Sequence, residues 1–455
     1  MENLDTNAAT LRISLSGIRG KVPEGLNVTV AFNFASSFAT YLGEGKIGVC
    51  VDGRWSGTML SYAVNASISA CGLDVYNLCV VPTPFLQFLI GKGIFDAGIS
   101  ITGGHNPQDW NALLLLNEKG AYLDSIEGNE VFNIYHSREF SKASWNEIGE
   151  IKEYRPDWSL YLKAMEKFVN AEEIRKARFK IVVDPCQGAG SVLIKDFADF
   201  FNLKILTINS EVGGKFPHDP EPNPENARQV AAVMEAVSYD AGFLLNSDAS
   251  RLSLITEKGK ALSEEYTFPL VALSFLEKHL SSIVTTVATS RMIEHVAEKF
   301  GVSVMRTRVG QSYVVHTMEA TGAEIGGEGS GSICIKEFSK GYDAFFSIAL
   351  ILDLMATKGK TLSELASYLP EYHIKKLKFP MPVDRIYRLV HHLKETYSSE
   401  NPNLEDGVRV ERKKGWFNIR PSTTEFILRA IIEGESPGAL EELVEEVTEK
   451  IWSFQ

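Results

Sequence analysis

The run KIGVCVDGRWSGTMLSYAVNASISACGLDVYNLCVV, residues 46–81, decides the fold. It opens with KIGVCVD (46–52), a short apolar stretch of β-branched character. That length suits a strand, and the absence of alternation suits one covered on both faces. GTMLSYAVNASISACG (57–72) reads as a helix ending on glycine, and LDVYNLCVV (73–81) as the next strand. The alternation recurs at FKIVVDP (179–185), DAGFLLN (240–246) and SSIVTTVAT (281–289), each followed by helix-like sequence. Strand–helix alternation over this length predicts α/β layers built on parallel or mixed sheets. The end of the chain differs. A helix near 384–396 precedes GVRVERKKGWFNIRPSTTEFILRAIIEG (407–434), which reads strand-turn-strand, and a closing helix follows. This predicts a smaller α+β domain.

At 455 residues the chain is too long for one core, and three or four domains are expected. Polar, proline-containing stretches near 150–157 and 370–382 are the natural boundaries. A formal net charge of -12 argues against nucleic acid and anionic membrane as partners, since both reward clustered Lys and Arg. An anionic small molecule then requires local positive groups. Cys50, Cys71, Cys79, Cys186 and Cys334 are scattered, odd in number and without a CxxC pair, so they read as buried small hydrophobes in a reducing compartment. The acidic, polar MENLDTNAATLR carries no secretory pattern. The most apolar run, AFFSIALILDLMA (344–356), is interrupted by Asp353 and too short to span a bilayer. A cytoplasmic location is expected.

Five loops carry chemistry-bearing residues. SGIRG (16–20) offers the fork of donors of Arg19 beside two glycines, and DGRWSG (52–57) is related to it. ITGGHNPQDWN (101–111) has a glycine pair before His105. NSDASR (246–251) spaces Asn246, Asp248 and Ser250 so that their oxygens can converge, but supplies one carboxylate. GGEGSG (326–331) places Glu328 and Ser330 where a ligand can approach the backbone, and Glu328 suits sugar hydroxyls. RPSTTEFILR (420–429) combines Arg420, Ser422, Thr424 and Arg429, a donor set suited to a phosphate dianion. Taken singly, the first four also read as ordinary turns; the fifth is the most specific.

In this order the loops resemble the α-D-phosphohexomutase superfamily, which includes phosphoglucomutase, phosphomannomutase and phosphoglucosamine mutase. Further matches are PTP (82–84), VVDPCQGAGS (182–191), FPHDPEPNPEN (216–226) and RTRVG (306–310), so the resemblance spans nearly the whole chain. It implies four domains, three related mixed-sheet α/β domains and a smaller C-terminal α+β domain, around a central cleft. The spans expected are 1–152 with the phosphoserine loop, 153–255 with the metal loop, 256–370 with the sugar loop and 371–455 with the phosphate loop. The family moves phosphate between the 1- and 6-positions of a hexose through a bisphosphorylated intermediate, using a phosphoserine with Mg²⁺ beside it.

The catalytic part of the resemblance falls on Gly104, Arg19 and His105, and there the chain departs. The family loop reads Thr-Ala-Ser-His-Asn-Pro; here it is Thr102-Gly103-Gly104-His105-Asn106-Pro107, so Gly104 stands where the phosphoserine is expected. The metal loop, Asp-x-Asp-x-Asp-Arg in the family, keeps Asp248 between Asn246 and Ser250, which implies Mg²⁺ binding that is weak or absent. A lysine expected after His-Asn-Pro is matched by Leu114. Arg19, Glu328, Ser330, Arg420, Ser422, Thr424 and Arg429 are kept. The losses fall on phosphoryl transfer and the retained residues on phosphosugar binding. The expectation is a hexose or hexosamine phosphate binder with mutase activity lost or severely impaired, alone, as a homodimer or as partner of an active paralogue. One alternative is a mutase using another carrier, such as Thr102 or a free bisphosphorylated sugar. The other is an interaction protein with a vestigial cleft.

Overall fold

The computed structural model describes residues 11–14, 17–422 and 427–454. Four sheets organise the chain. The first has seven strands: β1 (Leu11–Ser14), β2 (Gly17–Lys21), β3 (Lys46–Val51), β4 (Asp74–Val80), β5 (Ala97–Ile101), β6 (Trp110–Leu116) and β7 (Ile151–Glu153). Their order is β1-β2-β6-β5-β3-β4-β7. The second holds β8 (Lys180–Asp184), β9 (Lys204–Thr207), β10 (Ala241–Leu245) and β11 (Leu252–Thr256), in the order β11-β10-β8-β9. The third holds β12 (Ile283–Thr286), β13 (Val304–Thr307), β14 (Ile325–Glu328) and β15 (Ser332–Ile335), in the order β13-β12-β14-β15.

These three sheets repeat one plan. In each, a first strand pairs in parallel with the second on one side and the third on the other, and a fourth strand returns antiparallel beside the third. The kinship that no sequence repeat displays is therefore topological. Its functional consequence is immediate. The segments 102–109, 246–251 and 329–331 are the same connection in three copies, each joining the third strand to the fourth. They leave the C-terminal ends of parallel strands, where α/β sheets place their ligand crevices.

The fourth sheet is smaller and wholly antiparallel: β16 (His373–Pro380), β17 (Val408–Arg412), β18 (Gly415–Pro421) and β19 (Ile427–Gly434), in the order β16-β19-β18-β17. Helices Val383–Thr396 and Pro437–Ser453 pack on it over a core of its own that includes Phe417, Ile419, Leu428 and Val447. The mixed α/β reading with a smaller α+β end thus describes the molecule. The apolar helix Ala344–Lys358 is buried along most of its length. No helix among the described residues is long and apolar enough to cross a membrane.

One expectation needs correction. Cys50, Cys186 and Cys334 are buried, but Cys71 is partly exposed and Cys79 is exposed. The register between β3 and β4 shifts between Val49 and Val51, and Cys79 takes the left-handed conformation there (φ 56°). The bulge turns the thiol outward, a local backbone event that a run of apolar letters does not reveal.

Candidate functional site

The first two of these connections converge on one cavity of about 140 Å³, which Glu328 at the end of β14 reaches from the third unit. Its walls include Arg19, Thr102, Gly104, His105, Leu114, Tyr122, Asn246, Asp248, Ser250, Arg251, Glu328, Arg420 and Arg429. A larger cavity of about 470 Å³ adjoins it beyond Arg429, but its walls mix Lys375, Lys376 and Lys378 with Glu221, Glu225 and Glu264. We take the smaller cavity as the candidate site because all three α/β units and the fourth sheet contribute residues to it.

The 102–107 loop is held by one guanidinium. Arg54, 1% exposed, donates to the carbonyls of Pro107 (2.7 Å), Gly104 (2.9 Å) and Asn106 (2.8 Å) and pairs with Asp52 at 2.9 Å. Asp52 in turn accepts the Thr102 hydroxyl at 2.6 Å, and that hydroxyl accepts the Gly104 N–H at 2.8 Å. Ser247, from the second unit, sets its hydroxyl 2.7 Å from the Gly104 carbonyl and 2.8 Å from Asp52. The Phe216 ring closes over the guanidinium at 4.8 Å. Gly103 is a glycine for a steric reason: an added Cβ would sit 2.6 Å from Arg54 Cζ. Gly104 has φ 56°, and an added Cβ there would meet only Asn246 Nδ2 and Asp248 Oδ2, each at 3.9 Å. Position 104 is thus open toward the 246–251 turn and lacks a nucleophile.

That turn is closed on itself. Asp248 Oδ1 accepts from Asn246 Nδ2 (2.7 Å), the Ser250 hydroxyl (2.7 Å) and the Ser250 N–H (3.2 Å). Its Oδ2 accepts the Thr83 hydroxyl at 3.2 Å, and Asn246 Oδ1 accepts the N–H groups of Ser250 and Arg251. A divalent hard cation needs several oxygen donors, usually with more than one charge. Here the single carboxylate is occupied on both oxygens and an amide N–H points at it, so the donor set does not fit Mg²⁺. Among the described residues no group of three or more His, Cys, Asp or Glu is placed to hold a metal.

The opposite wall is cationic by register. In the fourth sheet Lys378 pairs with Arg429, and Arg429 with Arg420, across β16, β19 and β18. Residues directly opposite on neighbouring strands share a face, and like charges so placed disfavour the sheet by roughly 0.2–1 kcal/mol a pair. Asp406 lies 3.7 Å from Arg420. Arg420 and Arg429 of this row line the cavity, and such a pairing of like charges is a feature that an anion relieves. Burial lowers the Arg420 pKa, with Arg429 adding to the effect. His105 is held well below the usual histidine range by burial and by Arg251, Arg19, Arg429 and Lys378, so it is neutral among cations. Glu328 accepts the Tyr342 hydroxyl at 2.8 Å, and burial raises its pKa. Lys376 ties the fourth sheet to the third unit, donating to the Gly329 carbonyl at 3.2 Å and to Glu264 at 2.6 Å.

Of the residues selected from sequence, Arg19, Gly104, His105, Asn246, Asp248, Ser250, Glu328, Arg420 and Arg429 line this cavity, as does Leu114. Ser330 pairs its hydroxyl with Ser332 at 3.0 Å and is not among the lining residues. Ser422 lies just beyond β18, its N–H donating to the Ile427 carbonyl at 2.9 Å. Thr424 lies outside the described residues. The sequence reading passed over Tyr122 and the supporting roles of Arg54 and Ser247. Tyr122 follows a turn after β6 and bridges back to Leu116, a placement only the fold reveals. Arg54 had a signal, the glycine-flanked DGRWSG beside the first strand of its unit.

Comparisons with known proteins match the four-part order of the chain. Four family models match in order: "Phosphoglucomutase/phosphomannomutase, alpha/beta/alpha domain I" over 13–142, domain II over 159–259, domain III over 263–372 and the C-terminal domain over 375–450. The chain is 32% identical over 441 residues to a "Phosphoglucomutase/phosphomannomutase" of Thermococcus kodakarensis, covering 94% of this chain and 96% of that protein. It is 31% identical over 435 residues to a "Probable phosphoglucosamine mutase" of Pyrococcus abyssi, covering 94% and 95%. A solved structure from Thermus thermophilus, described as a "putative phosphomannomutase", superposes with a TM-score of 0.82 at 21% identity over 97% of this chain and 99% of that one.

Proposed function

This chain belongs to the phosphoglucomutase/phosphomannomutase family, and on that premise we propose that it binds a hexose or hexosamine phosphate in the shared cavity without the family's phosphoserine and Mg²⁺ route. The observation that carries the binding half is the Lys378–Arg429–Arg420 row, two of whose members line the cavity. Glu328 and the Tyr342 hydroxyl on the facing wall suit sugar hydroxyls. The other half rests on Gly104, which has no oxygen to phosphorylate, and on the Asp248 turn, whose donors are spent on one another. Phosphoryl transfer depends on positioning and on cationic stabilisation of the equatorial oxygens. The cavity retains cations and lacks the carrier.

Calorimetry with glucose 6-phosphate and glucosamine 6-phosphate tests the reading. Arg420→Ala removes a charge-assisted contact and is expected to weaken binding by about 1.5–3 kcal/mol, roughly 10- to 150-fold. Bound ligand also raises the melting temperature with concentration. Absence of binding by any hexose phosphate points to an interaction protein with a vestigial cleft. Equal binding by wild type and variant places the phosphate elsewhere.

A second reading, an active mutase with another carrier, is favoured by the mutase names of relatives at 31–32% identity over nearly the full chain. Thr102 is a poor carrier, because its hydroxyl is 1% exposed, donates to Asp52 and accepts from Gly104. Intact-mass analysis after incubation with glucose 1,6-bisphosphate separates the readings, since a retained phosphoryl group supports the mutase.

A further inference from the structure

We infer that the outer face of the first unit, built from α1 (Val28–Leu42) and α2 (Trp55–Ala70), is the surface on which two copies of this chain pair about a twofold axis. The inference is independent of what the cavity binds.

Charge is the first observation. α1 (VTVAFNFASSFATYL) and α2 (WSGTMLSYAVNASISA) contain no Asp, Glu, Lys or Arg, in a chain of which 23% is charged. Among the described residues two other α-helices lack charge, Thr83–Gly91 and Thr267–Leu276, and both are buried along nearly their whole length. Burial is the ordinary reason for such a composition. α1 and α2 have the composition of covered helices and keep one side in water.

The uncovered side is a stripe. Trp55, Met59, Tyr62, Ala66 and Ala70 are exposed, and their spacing puts them on one face of α2 over about 23 Å. Trp55 and Tyr62 are each 69% exposed. Val28 and Phe32 of α1 are exposed too, and α1 is held to α2 by the Ser67 hydroxyl, which donates to the Phe32 carbonyl at 2.7 Å. The 143–149 loop, whose Ala143 N–H donates to the Ala70 carbonyl at 3.0 Å, adds Trp145 (88% exposed) and Ile148 at the far end. At about 150–250 Å² per aromatic side chain, the exposed parts of Trp55, Tyr62 and Trp145 come to roughly 350–550 Å². Exposed apolar surface of that size marks an interaction site. It is a large part of the about 800 Å² that each partner gives to a stable interface.

Two features make the partner a second copy. The stripe tapers, from Trp55, Met59 and Tyr62 at the N-terminal end to Ala66 and Ala70 at the other. Laid antiparallel about Tyr62, two copies of α2 set Trp55 against Ala70 and Met59 against Ala66, large onto small. That is the self-matching a twofold interface requires. The second feature is net charge. Each copy carries -12, so two copies approach best through a face without charge, and these helices have none. A nucleic acid or an anionic membrane would ask for Lys and Arg there. Trp55 is also preset for the contact, since its indole N–H donates to the Gly213 carbonyl at 2.6 Å and fixes the ring.

The test is sedimentation velocity of the full chain from nanomolar to tens of micromolar concentration. The wild type is expected to pass from a single chain of 50.4 kDa to a species of twice that mass. Tyr62→Glu and Ala66→Glu, neither of which lines the cavity, should each weaken association by roughly 100-fold or more, the effect of an unpaired carboxylate at a buried contact. Their far-ultraviolet circular dichroism and glucose 6-phosphate binding should stay those of the wild type. A mixture of Met59→Lys and Ala66→Glu chains should recover the dimer, because antiparallel packing sets position 59 of one copy on position 66 of the other. A wild-type chain that stays at 50.4 kDa throughout overturns the inference and leaves the face to a different partner. So does a dimer that survives both glutamate variants, which places the contact elsewhere. A mixture no more dimeric than either variant alone overturns the antiparallel arrangement. The wild-type mass can overturn the inference even if a variant does not fold.

Discussion

Replacing Arg54 with methionine tests the architecture of the site most directly. Methionine keeps most of the volume and removes five hydrogen-bond donors. Asp52, 1% exposed, is then left as a buried carboxylate without its cation. The carbonyls of Gly104, Asn106 and Pro107 lose their common donor. Breaking a buried pair by removing one partner costs about 3–5 kcal/mol, far more than a surface pair is worth. At roughly 2–4 °C per kcal/mol for units of this size, the transition that reports the first sheet should fall by about 6–20 °C. Arg54→Lys should recover only part, because an ammonium reaches Asp52 or the carbonyls but lacks the planar fork for both. The assay is thermal melting followed by near-ultraviolet circular dichroism, with calorimetric binding of glucose 6-phosphate alongside. A methionine variant that melts within about 2 °C of wild type, on the same conversion, and binds normally would refute the claim that this guanidinium holds the loop.

His105 gives a pH test. The folded chain holds its imidazole well below the usual range, whereas the unfolded chain takes up a proton near pH 6.5. The unfolded state therefore binds more protons below that pH, so stability rises as pH climbs toward about 6.5 and levels above it. The slope lost in His105→Gln relative to wild type, read from melts between about pH 5 and 8 around that value, should have this sign; an unchanged slope would contradict the placement. Gly104→Ser alone should not recover full mutase activity, because the 246–251 turn still presents one occupied carboxylate. The combined variant Gly104→Ser, Asn246→Asp, Ser250→Asp, Leu114→Lys should do better in a coupled glucose 1-phosphate assay; full activity from the single change would show the metal argument to be wrong.

The strands were legible because each is a short apolar run between turn residues, and KIGVCVD, FKIVVDP and DAGFLLN lie in β3, β8 and β10. The common plan of the three α/β units came through the family resemblance alone, since it resides in strand order and leaves no repeated letters. The signature loops were visible as glycine-rich punctuation, and the glycine at 104 could be read directly. The cation row was out of reach. Lys378, Arg420 and Arg429 are brought together by strand pairing, and register between distant segments is not written in local sequence. The buried Arg19 nitrogen, without a hydrogen-bond partner among the described residues, was equally hidden, because a sequence shows a donor and not what fails to meet it.

The 102–107 loop divides its labour in a way that bears on how such a site can change. Everything that shapes it acts on backbone atoms or on neighbours: three carbonyls on Arg54, one N–H on Thr102, Thr102 on Asp52. Nothing asks for a side chain at position 104. That position behaves as a socket, a fixed place in a rigid frame whose fitting is interchangeable. A side chain can come or go there without loosening the frame. Its left-handed backbone (φ 56°) sets the one entry rule, favouring glycine and, among residues with side chains, asparagine or aspartate. A designer wishing to place a new functional group in the cavity should begin there.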